Sequence, residues 1–578
     1  MTNTVIKRRV VPSQKVKLPV ISHPLLERLY LARGITSSEQ LNHSTQALIN
    51  YGQLSGINRA VEILYQVAVA GKNILIVGDF DTDGATSTAL ILTALKEFGI
   101  KNIGYLIPDR FEDGYGLSVS VVKKAQEKRA DLIITVDNGV SAFDAVAFAK
   151  QHNIQVIITD HHLAPEVLPD ADAIVNPNLS DCPFPSKSLA GVGVTFYFML
   201  AFRAFLRQRQ WFEAHHLKEY NLANLLDLVA LGTVADVVKL DQNNRVLVQQ
   251  GLARIRSGYC CVGIKALANI TKRNIPRLTS QDLSYYIAPR INAAGRMENM
   301  SLGVELLLAE DEQTALEAAE ILEDLNLARK TVEKNMHQDA LVFIEQLEKN
   351  TNEIPNSFVI YHPDFHQGVI GVLSSRIKER FYRPVISFAL ADNGYLKGSG
   401  RSINGVHLRD ILERVSLRDP SLMVCFGGHA MAAGLTINEK NLAKFDQYFT
   451  EEVAKVVCNI CLDNVIETDG EIENCFFNLE TAKLLKDNGP WGESFPEPLF
   501  DGVFLIHQQK LVVGKHLKLV VEPLDGGPLI NCIAFNVDLA LWPDQSVKKV
   551  KIVYQLEVDE FKGNQSISLL VRHLWAVD

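Results

Sequence analysis

From about residue 70 the chain alternates between short, unbroken apolar runs and helix-favouring stretches. The runs are NILIVGD (73–79), NIGYLIP (102–108), DLIITVD (131–137), QVIITD (155–160) and DAIVNP (172–177). Runs of Val, Ile and Leu without polar alternation suit strands buried on both faces. The spacing between them leaves room for one crossover helix each time. This pattern predicts a doubly wound, parallel α/β domain over 61–245, preceded by an N-terminal segment, 1–60.

The pattern then changes. Residues 190–340 read as mostly helical, with 246–350 as a helical region that ends in a long helix. That helix runs from Asp311 to about Lys349 without Gly or Pro. At about 1.5 Å per residue it would span roughly 55 Å, a length that more often links domains than packs inside one. From Ser357 the β/α alternation resumes (SFVIYHP, a helix near Ile370–Arg380, PVISFAL), giving a second α/β domain over 351–460. The remainder, 461–578, carries LVVGKHLKLVVEP, LINCIAF, VKIVYQLEV and ISLLVRHLWAV. Several short strands in about 110 residues predict a small β-barrel.

Composition adds exclusions. With 578 residues, 47% hydrophobic and 22% charged, the chain is long enough for three or four cores, and fibrous and disordered classes are excluded. The formal charge is −9. Taken alone, that argues against a protein that coats nucleic acid at large. The first 26 residues hold five basic side chains and no acid, and read as a solvated terminus. They lack the apolar core of a secretory signal. The most apolar stretch, Gly191 to Phe202, stops at Arg203 and reads as a buried helix, so no membrane partner is expected. Eight scattered cysteines fit a reducing cytoplasm. The one CxxC, Cys458 to Cys461, has no partner pair and reads as two core cysteines.

The chemistry lies at the strand ends. The first run ends in Asp79-Phe80-Asp81-Thr82-Asp83-Gly84, the third in Asp137-Asn138-Gly139 and the fourth in Asp160-His161-His162. Asp236 follows a further apolar run in GTVAD. In a parallel sheet the strand-end acids share one edge, the edge at which open α/β sheets bind ligands. So many carboxylates repel one another unless cations neutralise them. A strand-end aspartate is otherwise a common helix cap, and Asp83 before Gly84 could serve so. Hard oxygen donors with imidazole suit Mn²⁺ or Mg²⁺. Their number suits two ions about 3.5–4 Å apart, which would activate water and clamp a phosphate.

These segments resemble the motifs of the DHH phosphoesterase superfamily: Asp79–Gly84, Val136-Asp137-Asn138-Gly139, Asp160-His161-His162 and Thr233-Val234-Ala235-Asp236. Gly427-Gly428-His429-Ala430-Met431-Ala432-Ala433-Gly434 is similar to the signature of the associated DHHA1 domain. The segments Pro108–Gly116, Pro289-Arg290-Ile291-Asn292-Ala293-Ala294-Gly295-Arg296, Ser399-Gly400-Arg401 and Gly489-Pro490-Trp491-Gly492 are similar to the RecJ family of bacterial single-strand-specific exonucleases.

The resemblance implies a DHH catalytic domain, a linking helix, a DHHA1 domain and an oligonucleotide-binding (OB) barrel. It implies 5′→3′ removal of mononucleotides from single-stranded DNA in recombination and repair, with two Mn²⁺ or Mg²⁺ ions. By position, Asp81 and Asp137 would hold one ion, and Asp83, Asp137, His161 and Asp236 the other, with Asp137 bridging. His162 would stand beside the scissile phosphate. Some superfamily members carry a metal-binding His where this chain has Val77, and Asp79 would replace it. Arg110, Arg290, Arg296, Ser399, Arg401 and His429 would contact substrate, the arginines through bidentate phosphate contacts. Selectivity for single strands would come from a narrow channel between the DHH and DHHA1 domains. A single-strand-binding protein and a helicase are the implied partners, and a monomer is the default. The barrel contains Trp491, Phe495, Phe500 and Trp575, and aromatics stack bases in such folds, but most of these four read as core, while Lys515 and Lys518 would track a strand. The alternative readings are a DHH phosphodiesterase of short oligonucleotides or cyclic dinucleotides, and a catalytically inactive DNA-binding scaffold.

Overall fold

The computed structural model describes residues 4–12, 18–110, 112–351, 355–458, 464–537, 542, 546–561 and 564–577. It divides into two compact units. One comprises Met1–Ile6, Gly295–Glu298 and Glu323–Ile466, and the other Lys7–Ala294, Asn299–Leu322 and Glu467–Asp578.

Within the larger unit, five apolar runs form five strands: β1 (Ile74–Val77), β2 (Ile103–Leu106), β3 (Leu132–Val136), β4 (Gln155–Thr159) and β5 (Ala173–Val175). They lie in the order β2-β1-β3-β4-β5, all parallel. Three helices of this sheet are α1 (Thr82–Glu97), α2 (Val119–Glu127) and α3 (Phe143–Gln151). Val121 and Val122 of α2 and Ala145 and Val146 of α3 cover one face through Leu75, Val77, Ile133, Val156 and Ile158. The other face carries α1 and α4 (Gly191–Gln208), with Ile74, Ile76, Ile134 and Ile157 buried beneath them. Burial on both faces is what an unbroken apolar run encodes. Helices α5 (Leu226–Ala235) and α6 (Ala288–Met297) complete the surroundings of the sheet's C-terminal edge. Among the described residues no helix is long and apolar enough to cross a membrane.

The predicted long helix is α7 (Glu312–Thr351), 40 residues and so about 60 Å long; its first part belongs to the larger unit and the rest to the smaller. The smaller unit contains β6 (Phe358–Tyr361), α8 (Ile370–Phe381), β7 (Val385–Leu390), β8 (Tyr395–Arg401), β9 (Met423–Gly428) and β10 (Ala432–Asn438). The strand order is β9-β10-β8-β7-β6, parallel only between β6 and β7. The glycine-rich signature is the β9–β10 hairpin. Gly427 pairs with Gly434, and Gly428 (φ +139°) with Ala433. A Cβ on Gly428 would fall 2.4 Å from Ala432 O, so the tight crossing requires glycine.

The C-terminal part is a closed barrel of β11 (Phe500–Val512), β12 (His516–Pro523), β13 (Ile530–Ala534), β14 (Lys549–Phe561) and β15 (Asn564–Val577), in the order β11-β12-β13-β15-β14. The run LVVGKHLKLVVEP is not one strand. Val513 (φ +53°) and Gly514 (φ +66°) turn the chain between β11 and β12. Trp491, Phe495 and Phe500 are core residues, Trp575 is partly buried, and Lys515 and Lys518 are exposed. Trp491 also joins the barrel domain to the helical region, since its carbonyl accepts from Ser280 Oγ at 2.7 Å.

The N-terminal segment is not merely solvated. Arg8 Nη2 donates to Asp501 Oδ2 at 2.7 Å, and Arg9 N–H to Thr468 O at 2.7 Å. Arg33 grips the buried Asp469 carboxylate with both terminal nitrogens, each at 3.0 Å. A basic stretch becomes ordered here because buried acids face it. Cys458 is exposed rather than core, and Cys461 lies outside the described residues, as does Phe111.

Candidate active site

The acids gather because β1, β3 and β4 end side by side. After Val77 the chain turns through Gly78 and Asp79 into α1. Asp81 is the N-cap of α1, accepting from Gly84 N–H at 3.0 Å, so the cap is Asp81 and not Asp83. Asp83 lies in the first turn and points across to α4. Its Oδ2 accepts from Gly191 N–H at 2.6 Å and its Oδ1 from Val192 N–H at 2.9 Å. A carboxylate at the start of α4 is favoured by the helix dipole and held rigidly by these two bonds. The packing leaves no slack. A Cβ on Gly84 would lie 2.5 Å from Asp79 O, and one on Gly191 2.5 Å from Asp137 Cβ.

Asp137 follows β3 with φ +65°, a conformation that costs about 1–3 kcal/mol in a non-glycine residue and tends to mark functional sites. Val237, directly after Asp236, has φ +58°. Asp236 itself ends α5. His161 Nε2 lies 3.0 Å from Asp137 Oδ1, 3.5 Å from Asp236 Oδ2 and 4.0 Å from Asp83 Oδ2. Asp83, His161 and Asp236 thus offer ligand atoms within 4.8 Å of one another, and so do Asp79, Asp81 and Asp137; Asp137 also groups with His161 and His162. Neither Asp137 Oδ1 nor His161 Nε2 makes a hydrogen bond among the described residues, although both are buried. Buried polar atoms without partners are rare. Two converging donor sets with unpaired lone pairs, built from oxygen and imidazole, fit divalent cations.

The electrostatics agree. Burial, with Asp81 nearby, pushes the Asp79 carboxyl up to about 8. Burial and the neighbouring Asp236 push Asp83 up to about 7, and burial and Asp81 do the same to Asp236. Asp137 is driven well above the carboxylate range by burial and by Asp83. The site holds more negative charge than it can keep ionised without cations.

Asp160 differs. Its Oδ1 accepts from His161 N–H, His162 N–H and His162 Nδ1 at 2.7, 3.1 and 2.7 Å, and its Oδ2 from Val140 N–H at 2.9 Å. Burial alone would raise it, but the bond from His162 and that imidazole's charge hold it at about 2. Burial would lower His162, yet Asp160 raises it to about 9. Asp160 therefore orients the two histidines.

Arg110 stacks its guanidinium 3.7 Å from the Phe80 ring centre, and Arg290, buried in α6, donates to Tyr286 O at 2.6 Å. The larger unit thus gathers Asp79, Asp81, Asp83, Asp137, His161, His162 and Asp236 at one sheet edge, with Arg110 reaching it through Phe80. The smaller unit holds the other four candidates. Arg401 Nη1 donates to Ser399 Oγ at 3.3 Å and to Gly400 O at 2.8 Å. Both side chains lie against the first turn of α8, where a Cβ on Gly371 would come 2.9 Å from Ser399 Oγ and 3.1 Å from Arg401 Nη2. Arg296 donates to Gly368 O at 3.2 Å. His429 sits on the exposed β9–β10 turn, its N–H donating to Ala432 O.

Residue types alone pass over the asparagines. Asn176 Nδ2 donates to His162 O at 2.9 Å and Asn178 Nδ2 to His161 O at 2.6 Å, fixing the histidine loop from the end of β5. Asn138 Nδ2 donates to Val77 O and Val136 O, and its Oδ1 accepts from Leu117 N–H. Asn292 Oδ1 accepts from Thr82 N–H and Oγ1, tying α6 to the aspartate loop. Their position directly after apolar runs, or inside a quoted motif, was the available signal.

The model of the DHH family, N-terminal domain matches residues 73–233, that of the DHHA1 domain 355–455 and that of the RecJ OB domain 468–573. The chain is 52% identical over 568 residues to the single-stranded-DNA-specific exonuclease RecJ of Salmonella typhimurium, covering 98% of each protein. It is 51% identical over 572 residues to that of Escherichia coli, covering 99% of each. The crystal structure of RecJ in complex with Mn²⁺ from Thermus thermophilus matches at a TM-score of 0.79 and 25% identity, covering 100% of this chain and 80% of that one.

Proposed function

Since the chain belongs to the RecJ family of single-stranded-DNA-specific exonucleases, we propose that it degrades single-stranded DNA from the 5′ end, releasing 5′ mononucleotides in recombination and repair. It is a metal-dependent exonuclease of α/β fold with DHH, DHHA1 and OB domains, and its cofactor is Mn²⁺ or Mg²⁺. The observation that carries the mechanism is the place of Asp137: it belongs to the donor set with Asp79 and Asp81, its Oδ1 lies 3.0 Å from His161 Nε2 of the set with Asp83 and Asp236, and that Oδ1 has no hydrogen bond among the described residues.

Asp79, Asp81 and Asp137 would hold one ion, and Asp83, Asp137, His161 and Asp236 the other. Bound there, the two ions supply an acidified water and stabilise charge on the reacting phosphate. The protein's part is positioning. Gly191 and Val192 amides fix Asp83, Asp160 fixes both histidines, and Asn176 and Asn178 fix their backbone. His162, its Nδ1 bonded to Asp160, is positioned to offer Nε2 to the scissile phosphate as charge builds. Ser399 and Arg401, beside the start of α8, form a cradle suited to a terminal phosphate. Arg110, Arg290, Arg296 and His429 are assigned to further contacts along the strand. The chain is proposed to act as a cytoplasmic monomer, with a single-strand-binding protein and a helicase as partners.

The test uses end-labelled single-stranded DNA, duplex DNA and RNA, with Mn²⁺ or EDTA. Stepwise 5′ loss on single-stranded DNA alone, abolished by EDTA, is expected. Attack from the 3′ end, or equal attack on duplex, would overturn the reading.

A further inference from the structure

The loop between β2 and α2 places an aromatic side chain at the strand-end site. Tyr115 is flanked by two glycines in left-handed conformations, Gly114 (φ +81°) and Gly116 (φ +63°). The loop is pinned beside Asp137: Leu117 N–H donates to Asn138 Oδ1, and a Cβ on Gly116 would press on Asn138 Cβ at 3.1 Å. So held, Tyr115 reaches across the sheet edge. Its hydroxyl meets His162 Nε2 at 3.1 Å, and the two rings stand edge to face, 5.9 Å apart at 82°. On its other side Tyr115 contacts Phe80 edge to face at 5.7 Å, and Phe80 carries the Arg110 guanidinium. The opposite imidazole nitrogen, Nδ1, is fixed by Asp160 at 2.7 Å. His162 is therefore held at both ring nitrogens, by a carboxylate and by a phenol.

We propose that Tyr115 is a positioning residue for the exonuclease reaction: its hydroxyl, together with Asp160, sets the plane of the His162 imidazole, and its ring couples that imidazole to the Phe80–Arg110 stack. The role rests on the exonuclease reading above. A histidine fixed only through Nδ1 can still swing about that bond. A second contact at Nε2 removes the swing, so the ring faces an incoming phosphate in one orientation and loses little freedom in the reaction. On substrate binding, the phosphate oxygen takes over or shares Nε2 with the Tyr115 hydroxyl. Although Tyr115 as a whole is 54% exposed, its hydroxyl end is enclosed among the carboxylates of Asp79, Asp137, Asp160 and Asp81, against His162 Nε2.

Tyr115→Phe removes only the hydroxyl and keeps the ring contacts. Steady-state degradation of 5′-phosphorylated single-stranded DNA with Mn²⁺ should show kcat lowered by about 10- to 100-fold, the usual effect of removing an outer partner of an active-site histidine. KM and Mn²⁺ affinity, the latter from calorimetry, should stay within about twofold. In a His162→Ala background, under single-turnover conditions, the same substitution should produce no further loss, since the two residues act as one unit. An unchanged kcat in Tyr115→Phe, an equal fractional loss in both backgrounds, or a parallel loss of Mn²⁺ affinity would each overturn the proposal. A wild-type enzyme inactive on single strands would instead overturn the exonuclease reading, so the two failures are distinguishable.

Discussion

His161 Nε2 and Asp137 Oδ1 lie 3.0 Å apart, both buried, and neither makes a hydrogen bond among the described residues. Atoms that close would bond if they were aimed at each other. Both atoms therefore keep a lone pair available at ligand distance from one another, as two ligands of one cation would. Asp137 also belongs to the set with Asp79 and Asp81.

Asp137→Asn should therefore damage both ion sites. Loss of an outer-shell partner costs about 10- to 100-fold in affinity or activity, so loss of a shared ligand should exceed about 100-fold. Calorimetric Mn²⁺ titration and exonuclease rate should fall together. A variant that binds two Mn²⁺ with wild-type affinity would contradict the shared role.

Metal binding should depend on pH. Without cations, Asp79 sits at about 8, and Asp83 and Asp236 at about 7. These are raised values, so the neutral forms predominate at pH 6 and the charged forms only as pH passes through 7 to 8. An incoming ion must displace protons, which weakens apparent affinity at low pH. Mn²⁺ affinity should rise from pH 6 to 8, with proton release detected in buffers of different ionisation enthalpy. Equal affinity at pH 6 and 8 would refute this.

Gly191→Ala tests the packing around Asp137. The new Cβ would stand 2.5 Å from Asp137 Cβ and 2.6 Å from its Oδ1, too close for real atoms. Alanine suits a helix start, so the helix should persist while Asp137 shifts. Circular dichroism should stay native while Mn²⁺ affinity and rate fall at least about tenfold, because catalytic geometry tolerates little displacement.

What the sequence made legible follows from burial and charge. Strands β1 to β5 were readable because their residues carry no charge and no polar alternation, and β1 and β3 are buried on both faces. The site was readable because aspartates at three strand ends, one beside two histidines, are hard to explain otherwise. The asparagine clamps were not, since Asn176 and Asn178 act through backbone carbonyls of the histidines, contacts that only the fold creates. Strand β11 also escaped: much of it is partly exposed, with His507, Gln508, Gln509 and Lys510 in its middle, and the apolar stretch at its end merged with β12 across the Val513–Gly514 turn. Arg8 and Arg9 looked like solvent-facing charges because their partners, Asp501 and Asp469, lie more than 400 residues away.

The asparagine clamps make the last prediction. Asn178→Ala removes the donor to His161 O at 2.6 Å and Asn176→Ala the donor to His162 O at 2.9 Å. Neither asparagine belongs to the donor sets, so each variant should still take up two ions, while the histidine loop loses a fixed point. The expected result is a rate about 10- to 100-fold lower. Asn178→Ala should weaken Mn²⁺ binding more, since His161 is in a donor set, and Asn176→Ala should lower kcat with Mn²⁺ affinity nearly intact, since His162 faces the phosphate. Calorimetry beside steady-state kinetics separates the two. If both variants changed Mn²⁺ affinity equally, the division of labour between His161 and His162 would be wrong.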